Sequence, residues 1–204
     1  MHPYELAKTT ARALRAEYGF TTPRVRRSEL RRIYQAEGIV IDFRPGLRVL
    51  RGAYFYDDEI GPSVLIAKGL PPEPTIFTMG HELKHHFIDR PAGLLESFCA
   101  TTNQTDLIEK AAEIFAAELV YPDEDFIADL EHRGIVRGEC DAAAIVRLKH
   151  ETETTLSYAS LSKRATFFRF APAGALDHVA WRKLEESIYG EPVYKRILRR
   201  RRSA

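Results

Sequence analysis

The segment His81-Glu82-Leu83-Lys84-His85 restricts what this chain can fold into more than any other stretch. Residues four apart lie on one face of an α-helix, so imidazoles at 81 and 85 can share one metal ion if the segment is helical. Glu82 then sits about 100° round from His81 and can reach a metal-bound water without being a ligand itself. Hydrolytic zinc sites need this set: two neutral nitrogen donors, an open coordination position and a general base beside the water. Zinc lowers the pKa of the water towards neutrality, and the carboxylate takes its proton as the water attacks a carbonyl. The motif therefore points to a metallopeptidase, with His81 and His85 as zinc ligands and Glu82 as the catalytic base.

The surroundings of the motif predict a helix from about Thr75 to Ile88. The stop signal LPPEP precedes it and places Pro74 in its first turn. Ile76, Gly80, Leu83 and Phe87 form an apolar stripe on the side away from the histidines, which turns His81 and His85 towards a cleft. Gly80 costs a helix about 1 kcal/mol relative to alanine, which suggests a close backbone approach there. His86 cannot share the face of its neighbours and reads as a surface or outer-shell group. Lys84 reads as solvated.

A zinc hydrolase usually takes a third protein ligand. The H-x-x-G-x-x-H extension fails, because Ile88 and Pro91 stand where a glycine and a third histidine belong. The other source is a glutamate on a second helix, and TDLIEKAAEIFAAELVYP supplies candidates. This helix, about Asp106 to Val120, is apolar almost all round, as buried helices are. Glu109 and Glu113 share a face with Ala112, Ala116 and Val120, while Glu118 points the other way. Carboxylates on a buried face need a partner. Glu109 is assigned as the ligand and Glu113 as the outer-shell carboxylate that orients a histidine. The reverse assignment is physically possible, and an ordinary surface pair with Lys110 is the bland alternative.

The remaining chain predicts an α+β plan. Helices from about Tyr4 to Tyr18 and Glu29 to Ala36 lead into strands around Ile39 to Phe43, Leu47 to Tyr56 and Ser63 to Ala67, an antiparallel-type meander. After the histidine and glutamate helices come short ones at about Asp123 to His132, Asp141 to His150, Leu156 to Phe168 and Ala180 to Ile188. The expected domains are a catalytic part over 1–122, a helical segment over 123–190 and a basic tail over 191–204.

Hydrophobic and charged contents of 45% and 29% suit a globular chain, and no stretch approaches the roughly 18 apolar residues that span a bilayer. The N-terminus lacks an apolar signal core, so a cytosolic protein with no membrane partner is expected. Cys99 and Cys140 read as free, inert thiols. The net charge of +1 does not indicate nucleic-acid binding. Lys195, Arg196, Arg199, Arg200, Arg201 and Arg202 nevertheless crowd the end, as a solvated tail or an electrostatic arm.

Three stretches resemble the ImmA/IrrE family of metallopeptidases, relatives of the thermolysin-like gluzincins. IFTMGHELKHHFID is similar to the family's F-T-x-x-H-E-x-x-H, and EKAAEIFAAELVYP to its E-x-x-A-N-x-F-A-A-E-L-L-M-P. GIVIDF, LRGAYFYDD and SVLIAKGL look like its strand region. The likeness covers about Ser28 to Pro122. It implies a thermolysin-like minimal catalytic domain with His81, His85 and Glu109 as zinc ligands and Glu82 as base. Lys84 replaces the usual glycine, Glu113 the usual asparagine and Tyr121 a common methionine. The implied activity is site-specific cleavage of a helix-turn-helix repressor, which derepresses stress-response or mobile-element genes. By likeness to gluzincins, Ser63, Val64, Leu65, Ile66 and Ala67 are expected to form the edge that holds an extended substrate.

Family members often carry a helix-turn-helix-like segment after the catalytic part. CDAAAIVRLKHETETTLSYASLSKRATFF fits that description, with Lys163 and Arg164 on its second helix. DNA contact has thin electrostatic support, and a cap or protein-docking role is favoured. The competing reading of the whole chain is a non-hydrolytic transcription regulator that keeps the metallopeptidase fold and binds DNA or a partner. It has no need of Glu82.

Overall fold

The computed structural model describes residues 1–47, 50–94, 102–192 and 195. The α+β plan holds, with eight α-helices and a three-stranded sheet among the described residues. Helix α1 (Pro3–Tyr18) opens on a proline, which needs no partner for a missing N–H, and ends where Gly19 takes a left-handed φ of 70°. Helix α2 (Arg27–Ala36) follows, with the Glu29 carboxylate accepting the Arg26 amide at 2.6 Å.

Strands β1 (Val40–Arg44), β2 (Gly52–Asp57) and β3 (Gly61–Ala67) make the sheet. Its order is β1-β3-β2: β3 runs parallel to β1 and antiparallel to β2. The sheet is thus mixed, which corrects the antiparallel meander. Asp57 Oδ1 accepts the amides of Glu59 and Ile60 at 2.9 Å and so shapes the β2–β3 turn. Val64 and Ile66 on β3 are fully buried.

Helix α3 (Pro72–Lys84) continues without a break into a π-helical turn, His85–Asp89, and α4 spans Thr102–Val120. Gly80 explains how α3 and α4 approach: a Cβ there would lie 3.3 Å from both Cα and Cβ of Ala116. Tyr34 on α2 donates to the Met79 carbonyl at 2.9 Å, tying α2 to α3 in the core. Ala7, Ala11 and Leu14 bury the inner face of α1, and Arg15 caps the end of α4 by donating to the carbonyls of Leu119 and Val120.

Beyond α4 lie α5 (Asp123–His132), α6 (Ala142–Thr152), α7 (Tyr158–Phe167) and α8 (Trp181–Tyr189). The chain forms two compact units. One is Met1–Phe126 with Thr152–Ser157, the other Ile127–Glu151 with Tyr158–Ala204. The first unit includes a loop that folds back onto it: Thr155 Oγ1 donates to the Val25 carbonyl at 3.1 Å, and Arg24 pairs with Glu153. The second unit has an apolar centre of Ile145, Leu148, Leu161 and Phe170, with Tyr158 stacked on Trp181. In it Arg164 is buried, which leaves Lys163 as the exposed basic residue of the two proposed for DNA contact. In the basic tail, Lys195 pairs with Glu186, while residues 193–194 and 196–204 lie outside the described residues, as does Cys99. No helix among the described residues is long and apolar enough to cross a membrane.

Candidate metal centre

The two helices cross so that His81, His85 and Glu109 converge. One ligand atom from each lies within 4.8 Å of the others. His81 Nε2 is 3.2 Å from Glu109 Oε2, and His85 Nε2 is 3.9 Å from Glu109 Oε1. The imidazole rings stand 5.2 Å apart, as expected four residues apart on a helix. Two nitrogens and a carboxylate facing one point are the donors that zinc takes in hydrolytic sites.

The electrostatics suit a cation at that point. Burial works against a charged His81, but its hydrogen bond to the accepting Glu109 carboxylate and the charges of Glu82, Glu109 and Glu113 outweigh it, so its pKa is raised. The Glu109 carboxyl is held below its usual range, foremost by the hydrogen bond with His81. The cluster thus favours positive charge between these groups.

Glu82 is buried, and burial lifts its pKa. The structure shows why it fits beneath the sheet. The Tyr54 backbone amide on β2 hydrogen-bonds its carboxylate, and the neighbouring position on the same strand face is Gly52. A Cβ at Gly52 would meet Thr78 Cγ2 at 2.4 Å and Glu82 Oε1 at 2.5 Å. Only glycine leaves room there. The sequence carried that signal as a glycine inside a strand, which marks a close approach.

Several expectations need correction. Ser63–Ala67 form the central strand β3, paired on both sides, so they offer no free edge. The edge beside Glu82 belongs to β2. The Ala67 amide bonds the Arg51 carbonyl at 2.8 Å, so by alternation Gly52, Tyr54 and Tyr56 turn their backbone groups outward. Glu113 is exposed and hydrogen-bonds neither histidine; it reaches His81 through its charge alone. Glu109 is itself half exposed, and the deeply buried carboxylate of α4 is Glu118, which pairs with Arg12 at 2.6 Å. The burial argument for the Glu109 face therefore fails, although the convergence stands.

Besides Glu109, the carboxylate that bonds a histidine of the cluster is Asp89. Its Oδ2 lies 2.6 Å from His85 Nδ1. Lys84 is not solvated: it is 2% exposed, and its ammonium donates to both Asp89 oxygens at 2.8 Å and to the Ile108 carbonyl at 3.0 Å. His86 is also buried, and its ring bonds the Tyr54 hydroxyl at 3.0 Å and Glu37 at 3.4 Å. Tyr121, in the place of a methionine, is fully buried edge-on against Phe126.

Comparison with known proteins bears on the fold and the family. A solved Mycobacterium tuberculosis transcriptional regulator shares the fold, with a TM-score of 0.56 at 15% identity over 79% of this chain. The chain spans 46% of that regulator's length. No curated protein matches the chain. Residues 35–164, more than half of the chain, match the IrrE N-terminal-like domain of the M78 peptidases, and the protein belongs to that metallopeptidase-fold family.

Proposed function

We propose that the protein is a zinc-dependent endopeptidase that cuts a protein substrate, with a helix-turn-helix repressor as the substrate class. The observation that carries this reading is the convergence of His81, His85 and Glu109 beside a buried, unligating Glu82. A fold kept for binding alone has no use for that carboxylate, which burial disfavours.

His81 Nε2, His85 Nε2 and a Glu109 oxygen would hold the ion. When bound, zinc supplies Lewis acidity, polarising a carbonyl and acidifying a water. Glu82 takes a proton from the attacking water and returns it to the leaving amine. In the metal-free protein burial raises the pKa of this carboxylate. The Tyr54 amide orients that carboxylate, and Gly52 leaves it space. The outward-facing backbone groups of β2 other than the Tyr54 amide suit pairing with an extended substrate strand. Phe55, Tyr56 and Ile60 are exposed along β2 and its turn, which favours apolar substrate side chains nearby.

The test is incubation of the zinc-loaded protein with a candidate helix-turn-helix repressor. A discrete cleavage product with wild type and none with Glu82→Gln is the expected result. Cleavage that survives the glutamine contradicts the mechanism. Tight repressor binding with no product from either protein favours the non-hydrolytic regulator.

A further inference from the structure

Lys84 occupies the third position inside the histidine motif, and its ammonium is buried. An unpaired buried ammonium is prohibitively unfavourable. Here each of its three donors has an acceptor: Asp89 Oδ1, Asp89 Oδ2 and the carbonyl of Ile108. Asp89 is equally buried, and its Oδ2 also takes His85 Nδ1. The ammonium therefore touches both sides of the metal centre. Through Asp89 it reaches His85, and through Ile108 it grips the turn of α4 that carries Glu109.

The π-helical turn makes this possible. In an α-helix, residues 84 and 89 would lie about 140° apart round the axis. In the wider turn the Arg90 amide bonds the His85 carbonyl at 2.9 Å, five residues back, and the Leu94 amide bonds Asp89 in the same way. That spacing stacks Asp89 beneath Lys84. Single π turns inside α-helices recur at functional sites.

We propose that Lys84 and Asp89 are positioning residues of the metal centre, a buried ion pair that fixes the His85 ring and the Glu109 turn in metal-ready geometry before the ion arrives. The proposal rests on the metal-site reading above. Replacing a buried ion pair with apolar or neutral groups of similar size is often neutral for stability. The effect of the pair therefore falls on the ligands. With Nδ1 bonded to Asp89, His85 presents Nε2 to the ion. With the Ile108 carbonyl anchored, Glu109 starts from a fixed backbone although its side chain is half exposed.

The experiment measures zinc affinity by competition with a chromophoric chelator, together with the visible spectrum of the cobalt(II)-loaded protein. Lys84→Met and Asp89→Asn should each weaken zinc binding about 10- to 100-fold, the usual range for partners of metal ligands. Both should shift the cobalt bands, which a general loss of stability would not do. The double variant removes both charges and leaves none unpaired. It should fold even if Lys84→Met does not, and its affinity should match Asp89→Asn. Affinity within twofold of wild type and an unchanged cobalt spectrum in the folded single or double variants overturn the inference alone. Failure of wild type to bind zinc overturns the metal-site reading and the inference with it.

Discussion

The two compact units differ in what they bury. In the first, Glu82, Lys84, His85, His86 and Asp89 are all withdrawn from water along one stretch of chain. In the second, the interior is Ile145, Leu148, Leu161 and Phe170, with Arg164 as its buried charge among the described residues. Its aromatic contacts include two parallel stacks, Tyr158 on Trp181 and His150 on Tyr189. Buried ionisable groups are retained only where every one is bonded. Their concentration around α3 sets the first unit apart from the second, which buries the single charge of Arg164 among the described residues.

The largest expected effect comes from the base. Glu82→Gln should lower the cleavage rate by about 10²- to 10⁴-fold, the usual contribution of a general base, while zinc content by atomic absorption stays unchanged. The same change should raise the melting temperature of the metal-free protein at pH 7. The sign follows from the raised pKa of Glu82. A folded-state pKa above the unfolded one means that the folded state holds the proton more tightly, so stability falls as pH rises through that interval. Glutamine removes the penalty.

Gly52→Ala is next. The added Cβ collides with Glu82 and Thr78, and a misplacement of about 1 Å at a reacting group lowers turnover on the order of 10²-fold. Zinc content should hold, which separates a displaced base from a lost ligand. In the second unit, Trp181→Ala should lower stability by about 0.5–1.5 kcal/mol through the lost stack, with the cleavage rate of the folded protein within twofold of wild type. A large loss of turnover there would break the contrast between the units. The smallest effect concerns Cys140, whose thiol pKa is pushed up to about 11 by burial. It should resist alkylation by iodoacetamide at pH 8 in the folded protein and react after unfolding.

The same contrast governs what could be read from the sequence. Helix α5 falls at Asp123–His132 as its spacing predicts, and the shared face of residues 81 and 85 follows from the regular helical repeat. Local periodicity carries those features. The Lys84–Asp89 pair is opaque because the π turn stacks residues five apart, which an α-helical wheel puts about 140° from each other. Strand order was opaque for another reason. The parallel pairing of β1 with β3 places Ser63–Ala67 in the centre, and no local pattern distinguishes a central strand of three from its neighbours. Glu118 points away from the Glu109 face as expected, but Glu113 lies outside the metal centre because α4 meets α1 as well as α3. The face against α1 holds Glu118 with Arg12, while Glu113 is left exposed.

The most direct test of the central claim is a crystal of the zinc-loaded protein measured at the zinc absorption edge. A single anomalous peak about 2.0–2.2 Å from His81 Nε2, His85 Nε2 and a Glu109 oxygen is the expected result. A zinc peak elsewhere, or none under saturating zinc, contradicts it.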